Sequence, residues 1–421
     1  SHCCFIFPWI TTFCGCISGN VGKYDCYESF NTYFRVEFFY SFFGGILMKV
    51  VVALDSFKEC MSAYEACQAV CNGLKKIDRD IEVDLCPIGD GGEGTLDALI
   101  QAMNGRKVGY DVHDVLMRKR KVYIGYVDDI AIIESAKVCG LELLEEHQKD
   151  ALYTSTYGLG ELIKNAINEG AKKLMICLGG SATNDGGIGM LSALGVEFYD
   201  KNHRIVEPTL KGLCDIVDFD KKNLDELLHG VEIVGVCDVQ NILCGQFGAT
   251  YIYGVQKGIK KEECEIYDRA MHRYAVMVDQ FYGYDYRCDE GTGAAGGLGY
   301  ALLAFCHGTL QKGFDVVSRV CQLEKRIKSC DLVIVGEGKM DKQTQYGKTP
   351  YGVLQIAQKY HKAVYAFAGK IEDRDILYQL GFSQLYSITP QDMPLQEALS
   401  KGKENMEKAI CKYIRRWSHE I

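Results

Sequence analysis

One local pattern recurs along this chain and restricts its fold more than any other feature. A short apolar run ends in a loop of glycines mixed with acids, hydroxyls or lysine, and a helical pattern follows. Lys49–Leu54 runs into Asp55-Ser-Phe-Lys58, and Glu82–Cys86 into Gly89-Asp-Gly-Gly-Glu-Gly-Thr95. Lys173–Leu178 runs into Gly179-Gly-Ser-Ala-Thr-Asn-Asp-Gly-Gly187, and Asp331–Val335 into Gly336-Glu-Gly-Lys-Met-Asp341. Short, nearly continuous apolar runs read as strands buried on both faces, as in parallel sheets. Their alternation with helices gives the α/β class. Ligands of open α/β sheets bind outside the carboxyl ends of the strands. The loops at 55–58, 89–95, 179–187 and 336–349 are therefore expected to converge on one cleft.

The middle of the chain differs. Lys107–His113, Lys121–Val127 and Ile130–Glu134 alternate in polarity, with Asp128-Asp129 as a tight turn, and predict antiparallel strands. Glu232–Val236, Thr250–Tyr253, Ala363–Phe367 and Gln384–Ile388 read as further strands. Ser62-Ala-Tyr-Glu65 is a capping-box pattern that opens a helix.

Composition narrows the function classes. The net charge is −9 and the longest basic tract is Arg118-Lys-Arg-Lys121, so no nucleic-acid partner is expected. An acidic chain that takes an anionic ligand must hold it with local groups. Glycine is abundant at 45 residues against 6 prolines, and its clustering points to loops that let backbone approach a ligand. The 20 cysteines include no C-x-x-C pair, and those in apolar patterns (Cys86, Cys139, Cys177, Cys237) read as reduced, buried small hydrophobes of a cytoplasmic protein. Residues 1–47 hold 9 of the 18 phenylalanines and only two Lys or Arg residues, Lys23 and Arg35. They lack the order of a secretory signal. They are expected to be a leader without a stable fold, with Met48 the start of the folded chain and no membrane anchor.

The loops carry the chemistry. In Gly179–Gly187, glycines free backbone N–H groups ahead of a helix, a setting that favours an anion. Gly179, Gly180, Ser181, Thr183 and Asn184 are candidate phosphate contacts, and Asp185 could ligand a metal or accept a substrate hydroxyl. A tight turn with capping side chains is the alternative. Asp90 and Glu93 are hard oxygen ligands of the kind Mg²⁺ takes alongside phosphate. Glu337, Lys339 and Asp341 combine acid and base at a strand end. Asp55 could act as base or metal ligand, and Lys58 could hold a phosphate or carboxylate. Gly347-Lys348-Thr349 imitates the end of a P-loop, but Lys342 stands where that pattern needs glycine, which rejects the motif. Gly291-Thr-Gly-Ala-Ala-Gly296 matches G-x-G-x-x-G but follows the polar Asp285–Glu290 instead of a strand. Gly293, Gly296 and Gly297 remain candidate phosphate contacts or close-packing positions, and an NAD-dependent oxidoreductase is the rival reading this string invites.

Taken in order, Asp55–Lys58, Asp90–Thr95, Gly179–Gly187, Cys237-Asp-Val239, Gln256-Lys-Gly258, Gly293–Gly299 and Gly336–Thr344 with Gly347-Lys348 resemble the type I glycerate kinase family, the bacterial glycerate 2-kinases. The resemblance runs from Met48 to about residue 415. It implies ATP-dependent phosphorylation of D-glycerate, typically to 2-phosphoglycerate, with Mg²⁺. It also implies a two-domain α/β architecture with the active site between the domains. A Rossmann-like parallel-sheet domain is expected from 48–106 and 290–421, and a second, flavodoxin-like α/β domain from 107–289. On this reading Asp185, Asp55 and Lys58 are catalytic, and Asp90 and Asp185 hold the metal. Gly179, Gly180, Ser181, Thr183, Asn184, Gly293, Gly296, Gly297, Glu337, Lys339 and Asp341 contact the nucleotide. The protein is expected to be a monomer or homodimer. The family's usual glycine after Asp55-Ser-Phe-Lys58 is Glu59 here. A non-catalytic glycerate-binding relative, spoiled at Glu59, is the second rival. A kinase acting on the 3-hydroxyl or on another small hydroxy acid is the third.

Overall fold

The computed structural model describes residues 48–89, 91, 92 and 94–414. The expectations for the leader 1–47 and for Asp90 lie outside the described residues. Eleven strands build two main sheets. In chain order they are β1 (Lys49–Leu54), β2 (Glu82–Leu85), β3 (Arg106–His113), β4 (Lys119–Val127), β5 (Ile130–Glu134) and β6 (Lys173–Cys177). Then come β7 (Glu232–Val236), β8 (Thr309–Gln311), β9 (Leu332–Gly336), β10 (Ala363–Ala368) and β11 (Gln384–Ser387). The helices that matter for the site are α1 (Ala63–Ile77), α2 (Thr95–Met103), α3 (Tyr157–Asn168), α4 (Ile188–Ala193), α5 (Cys264–Tyr282), α6 (Gly313–Val320) and α7 (Thr349–Lys359).

The first sheet is wholly parallel, in the order β2-β1-β9-β10-β11. Counted in its own strands this is 2-1-3-4-5, the flavodoxin-like doubly wound order, whose switch point lies between β1 and β9. The second sheet has the order β8-β7-β6-β5-β4-β3. It is parallel from β5 to β8 and closes with the antiparallel β3–β4–β5 meander. The meander is where the sequence alternates, because its outer strands keep one face in water. Strand β8 brings residues beyond 290 into this sheet.

The period of two along the strands sends successive side chains to two cores. Ala131, Ile133, Leu174, Ile176 and Ile233 pack with α3, α4 and α5. Their neighbours Ile132, Met175, Cys177, Val234 and Val236 share a second core with Val51, Ala53, Val333 and Val335 of the first sheet. Helices α2 and α6 contribute Leu96, Leu99, Val316 and Val317 to that shared core. Both sheets belong to one compact unit, Met48–Arg416. The capping box at Ser62 is present at the start of α1. One element departs from expectation. Thr250–Tyr253 lies in the helix Ala249–Tyr253, with Ala249 and Thr250 buried and Tyr251 and Ile252 exposed. Aromatic and β-branched content favours a strand, but one-sided burial after the Gly248 turn selects the helix. Cys86, Cys139 and Cys177 are buried and outside any disulfide, and Cys237 is half-buried.

Candidate active site

The register of β1 on β9 pairs Leu54 with Gly336. The next residues, Asp55 and Glu337, therefore leave the sheet side by side at its switch point. Asp55 Oδ2 accepts a hydrogen bond from Thr349 Oγ1 at 2.6 Å, and its Oδ1 accepts from the Ser56 amide at 2.6 Å. Thr349 is the first residue of α7, so this contact aims the helix start at the sheet edge. Glu337 is paired with Lys348 Nζ at 3.2 Å and accepts from Thr344 Oγ1 at 3.3 Å. Burial pushes the Glu337 carboxyl up to about 7, against the pull of Lys348, and the Asp55 charge adds to the rise. Lys339 is paired outward with Glu372 at 2.8 Å and with Asp341 at 3.2 Å.

Asp55, Glu337, Lys348 and Thr349 line a cavity of 1490 Å³ together with Lys58 and Lys339. Its opposite wall comes from the second sheet: Asp238 and Asn241 beyond β7, and Lys312 beyond β8. The carboxyl ends of the parallel strands of both sheets thus face one space. A second cavity of 230 Å³ is lined by Gly91, Gly92, Gly179, Gly180, Ser181 and Lys257. Asp238 lines both cavities. Its Oδ1 accepts from the Gly313 amide at the start of α6 at 2.9 Å, which fixes the carboxylate between them.

Asp55, Lys58, Glu337 and Lys339 come together at the large cavity, and Gly179, Gly180 and Ser181 at the small one. Other predicted residues are elsewhere. Asp185 has no exposed surface and lines neither cavity. Its oxygens accept from Thr156 N (2.9 Å), Thr156 Oγ1 (2.7 Å), Gly187 N (3.1 Å) and Gly189 N (3.2 Å). Burial raises this carboxyl above its ordinary range, and the bonded donors oppose the rise. Where a base or metal ligand was expected at Asp185, the carboxylate ties α3 to the start of α4. Thr183 and Asn184 are equally buried, and Asn184 Nδ2 donates to Thr250 Oγ1. Asp341 caps a short turn by accepting from the Gln343 amide.

Gly293, Gly296 and Gly297 line neither cavity. A Cβ on Gly296 (φ +67°) would lie 2.0 Å from the Thr183 carbonyl oxygen, and one on Gly293 would lie 2.3 Å from that of Ile242. Gly296 and Gly297 let the 291–299 segment lie directly on 179–187, with Gly186 N bonded to Gly296 O at 2.9 Å, and Gly293 lets it lie on Asn241 and Ile242. Where phosphate contacts were expected, the three glycines make close backbone packing, and the G-x-G-x-x-G string is not preceded by a sheet strand.

Glu59 sits at φ 61° in the tight turn closed by Phe57 and Met61. It is exposed and does not line the cavity that its neighbours Lys58 and Cys60 line. The glycine usual at this position suits the left-handed conformation, so Glu59 strains a turn without crowding the cleft. Glu59→Gly should stabilise the fold by about 0.5–1 kcal/mol, the relief of strain less the added freedom of the unfolded chain. Turnover should stay within about twofold. Chemical denaturation checks the first expectation, and a fall in stability would overturn it.

Asp238, Lys348, Thr349 and Lys257 are the residues the sequence reading left out of the site. Asp238 follows a strand as Asp55 does, but without the glycines that marked the other loops. Lys348 and Thr349 were set aside with the failed P-loop spacing. Among the described residues no group of three or more His, Cys, Asp or Glu is clustered for a metal. A cation that takes one or two carboxylates and completes its shell with phosphate and water does not need one. The adjacent carboxylates of Asp55 and Glu337 fit that requirement.

The family model described as "Glycerate kinase family" matches residues 50–418. The chain belongs to the glycerate kinase family. A glycerate kinase of Bacillus subtilis (strain 168) is 39% identical over 364 residues, covering 86% of this chain and 95% of the relative. A glycerate 2-kinase of Escherichia coli K12 is 38% identical over 365 residues, covering 86% and 96%. The crystal structure of a Salmonella typhimurium LT2 protein described as glycerate kinase 2 superposes with a TM-score of 0.80 at 37% identity, covering 88% of this chain and 98% of that one. The family resemblance carried by the glycine-rich segments therefore holds across both sheets. Among the described residues no helix is long and apolar enough to cross a membrane.

Proposed function

We propose that this protein is an ATP-dependent kinase that phosphorylates D-glycerate to 2-phosphoglycerate. The observation that carries the reading is Asp238, a carboxylate fixed on the wall between a nucleotide-sized cavity and a small one. The 1490 Å³ space exceeds the roughly 300–1,000 Å³ of pockets for drug-sized ligands, and the 230 Å³ space falls below it. ATP occupies the large cavity with its phosphates toward Lys348, Lys58 and the start of α7, where two ammonium groups and the helix dipole offset phosphate charge. Glycerate occupies the small cavity with a hydroxyl toward Asp238.

Phosphoryl transfer asks mainly for alignment and charge neutralisation. Asp238 accepts the hydroxyl proton as that oxygen bonds to the γ-phosphorus, and the bond from phosphorus to the ADP oxygen breaks. Lys348 and Lys58 offset the charge that builds on the leaving group. Asp55 and Glu337 would hold Mg²⁺. That ion, when bound, supplies charge neutralisation at the β- and γ-phosphates. Thr349 keeps Asp55 oriented, and Lys348 keeps Glu337 oriented. Function in the cytoplasm, as monomer or homodimer, belongs to the same proposal.

The test is a coupled assay of ADP release with D-glycerate, ATP and Mg²⁺, with the product resolved as 2- or 3-phosphoglycerate. Glycerate-dependent turnover that gives the 2-phosphate and stops on chelation is the expected result. A folded protein that releases no ADP with glycerate would overturn the reading.

A further inference from the structure

Lys257 is a buried cation whose hydrogen-bond partners are neutral groups. The residue is 3% exposed. Its ammonium donates to Ser181 Oγ at 3.0 Å and to the Thr183 carbonyl oxygen at 2.7 Å, both neutral acceptors. Among the described residues it forms no ion pair. Asp185, a buried acid whose charge reaches Lys257, has its oxygens committed to Thr156, Gly187 and Gly189. An ammonium has three protons to place, and two are accounted for. Burying a charge is costly unless it is paired. Lys257 also lines the 230 Å³ cavity, a wall it shares with Gly179, Gly180 and Asp238.

We infer that Lys257, with Ser181, is the carboxylate subsite for the acid that is phosphorylated, and that it selects a small hydroxy acid over the corresponding polyol. The inference rests on the kinase reading and adds to it the group that recognises the acceptor's charge. An acid whose carboxylate meets Lys257 at one end of so small a space has its carbon chain directed toward Asp238 at the cavity shared with the nucleotide. A phosphate group would place more negative charge, but the phosphate-bearing ligand belongs to the large cavity, where Lys58 and Lys348 stand.

The charge state is consistent with the role. Burial holds the Lys257 amine down to about 8, while Cys139 and Asp185 behind it oppose the fall. Among the described residues, Cys237, Asp238 and Tyr253 are the other titratable groups on the cavity wall. Only the protonated amine attracts a carboxylate. The kcat/KM for glycerate should therefore fall as pH rises through about 8.

Lys257→Met tests the inference, since methionine keeps most of the stem and removes the charge. Replacing a buried ion by a hydrophobe of similar volume tends to preserve folding. Glycerate KM should rise on the order of 10²-fold or more, ATP KM should stay within about threefold, and the alkaline limb should vanish from residual activity. The preference for glycerate over glycerol should fall with it. Unchanged glycerate KM would overturn the subsite and leave the kinase reading intact. A rise in ATP KM alone would assign the cavity to phosphate and overturn it also, as would parallel loss of both affinities with a lowered melting temperature. If the wild-type protein turns over no glycerate, the kinase reading fails separately. Calorimetric titration with glycerate alone then decides the subsite: binding by wild type and not by Lys257→Met upholds it, and binding by neither or by both overturns it.

Discussion

Asp238→Asn is expected to lower kcat by roughly 10²–10⁴-fold, the range for loss of a general base, while ATP and glycerate KM change little. The Asp238 carboxylate holds the Gly313 amide through one oxygen at 2.9 Å. An asparagine carbonyl can accept that same bond, so the loop after β7 and the start of α6 keep their geometry. What asparagine cannot do is take a proton from a glycerate hydroxyl. Steady-state kinetics beside a melting curve checks the expectation. If Asp238→Asn retained near-normal kcat, the base would have to be sought elsewhere in the cleft, and Asp55 would be the next carboxylate to test.

The opposite signature is expected at Asp185. Its carboxylate receives three backbone amides and one hydroxyl inside the protein. Asparagine must turn an NH₂ group toward at least one of these donors, which strands buried N–H groups without an acceptor. An unsatisfied buried donor costs about 1–3 kcal/mol, so Asp185→Asn should lose about 2–4 kcal/mol of stability. The folded fraction should still turn over within about threefold of wild type. Denaturant titration combined with kcat per folded molecule separates the two effects. A variant of unchanged stability that had lost turnover would return Asp185 to the chemistry.

The contrast between these two aspartates explains what the sequence made legible. The strand–loop–helix units were readable because burial imposes continuous apolar runs on parallel strands and alternation on the β3–β4 edge. The cleft followed from strand polarity, and Asp55 and Glu337 were found because each follows a strand directly. The segment 179–187 was harder, since glycine beside small polar residues serves two ends. It can open a backbone to a ligand, as Gly179 and Gly180 do, or let two backbones touch, as Gly186 does against Gly296 and Gly297. Which use applies depends on the partner segment, about a hundred residues further along the chain. Lys257 was hidden for a related reason. In Gln256-Lys-Gly258 it looks like a solvated turn, and only the fold carries its amine beneath Ser181. Lys348 shows the limit of a motif: its spacing fails the P-loop pattern, yet it stands at a helix start facing the same cleft.

The pairing of β1 with β9 also bears on how the molecule is made. Lys49 N bonds Asp331 Oδ2 across 282 residues of chain, and Val50 pairs with Leu332 in the next rung. On a ribosome, β1 emerges early and can find β2, but its other edge waits until nearly four-fifths of the protein has been synthesised. The second sheet, from Arg106 to Gln311, can assemble in that interval. Because long-range parallel pairing is slow and leaves unpaired edges exposed meanwhile, the seam that carries Asp55 and Glu337 should form late, together with the strands β10 and β11 that pair outward from β9. A nascent chain stalled before residue 331 would then present a hydrophobic strand edge to chaperones, and the catalytic cleft would serve as a signature of completed synthesis.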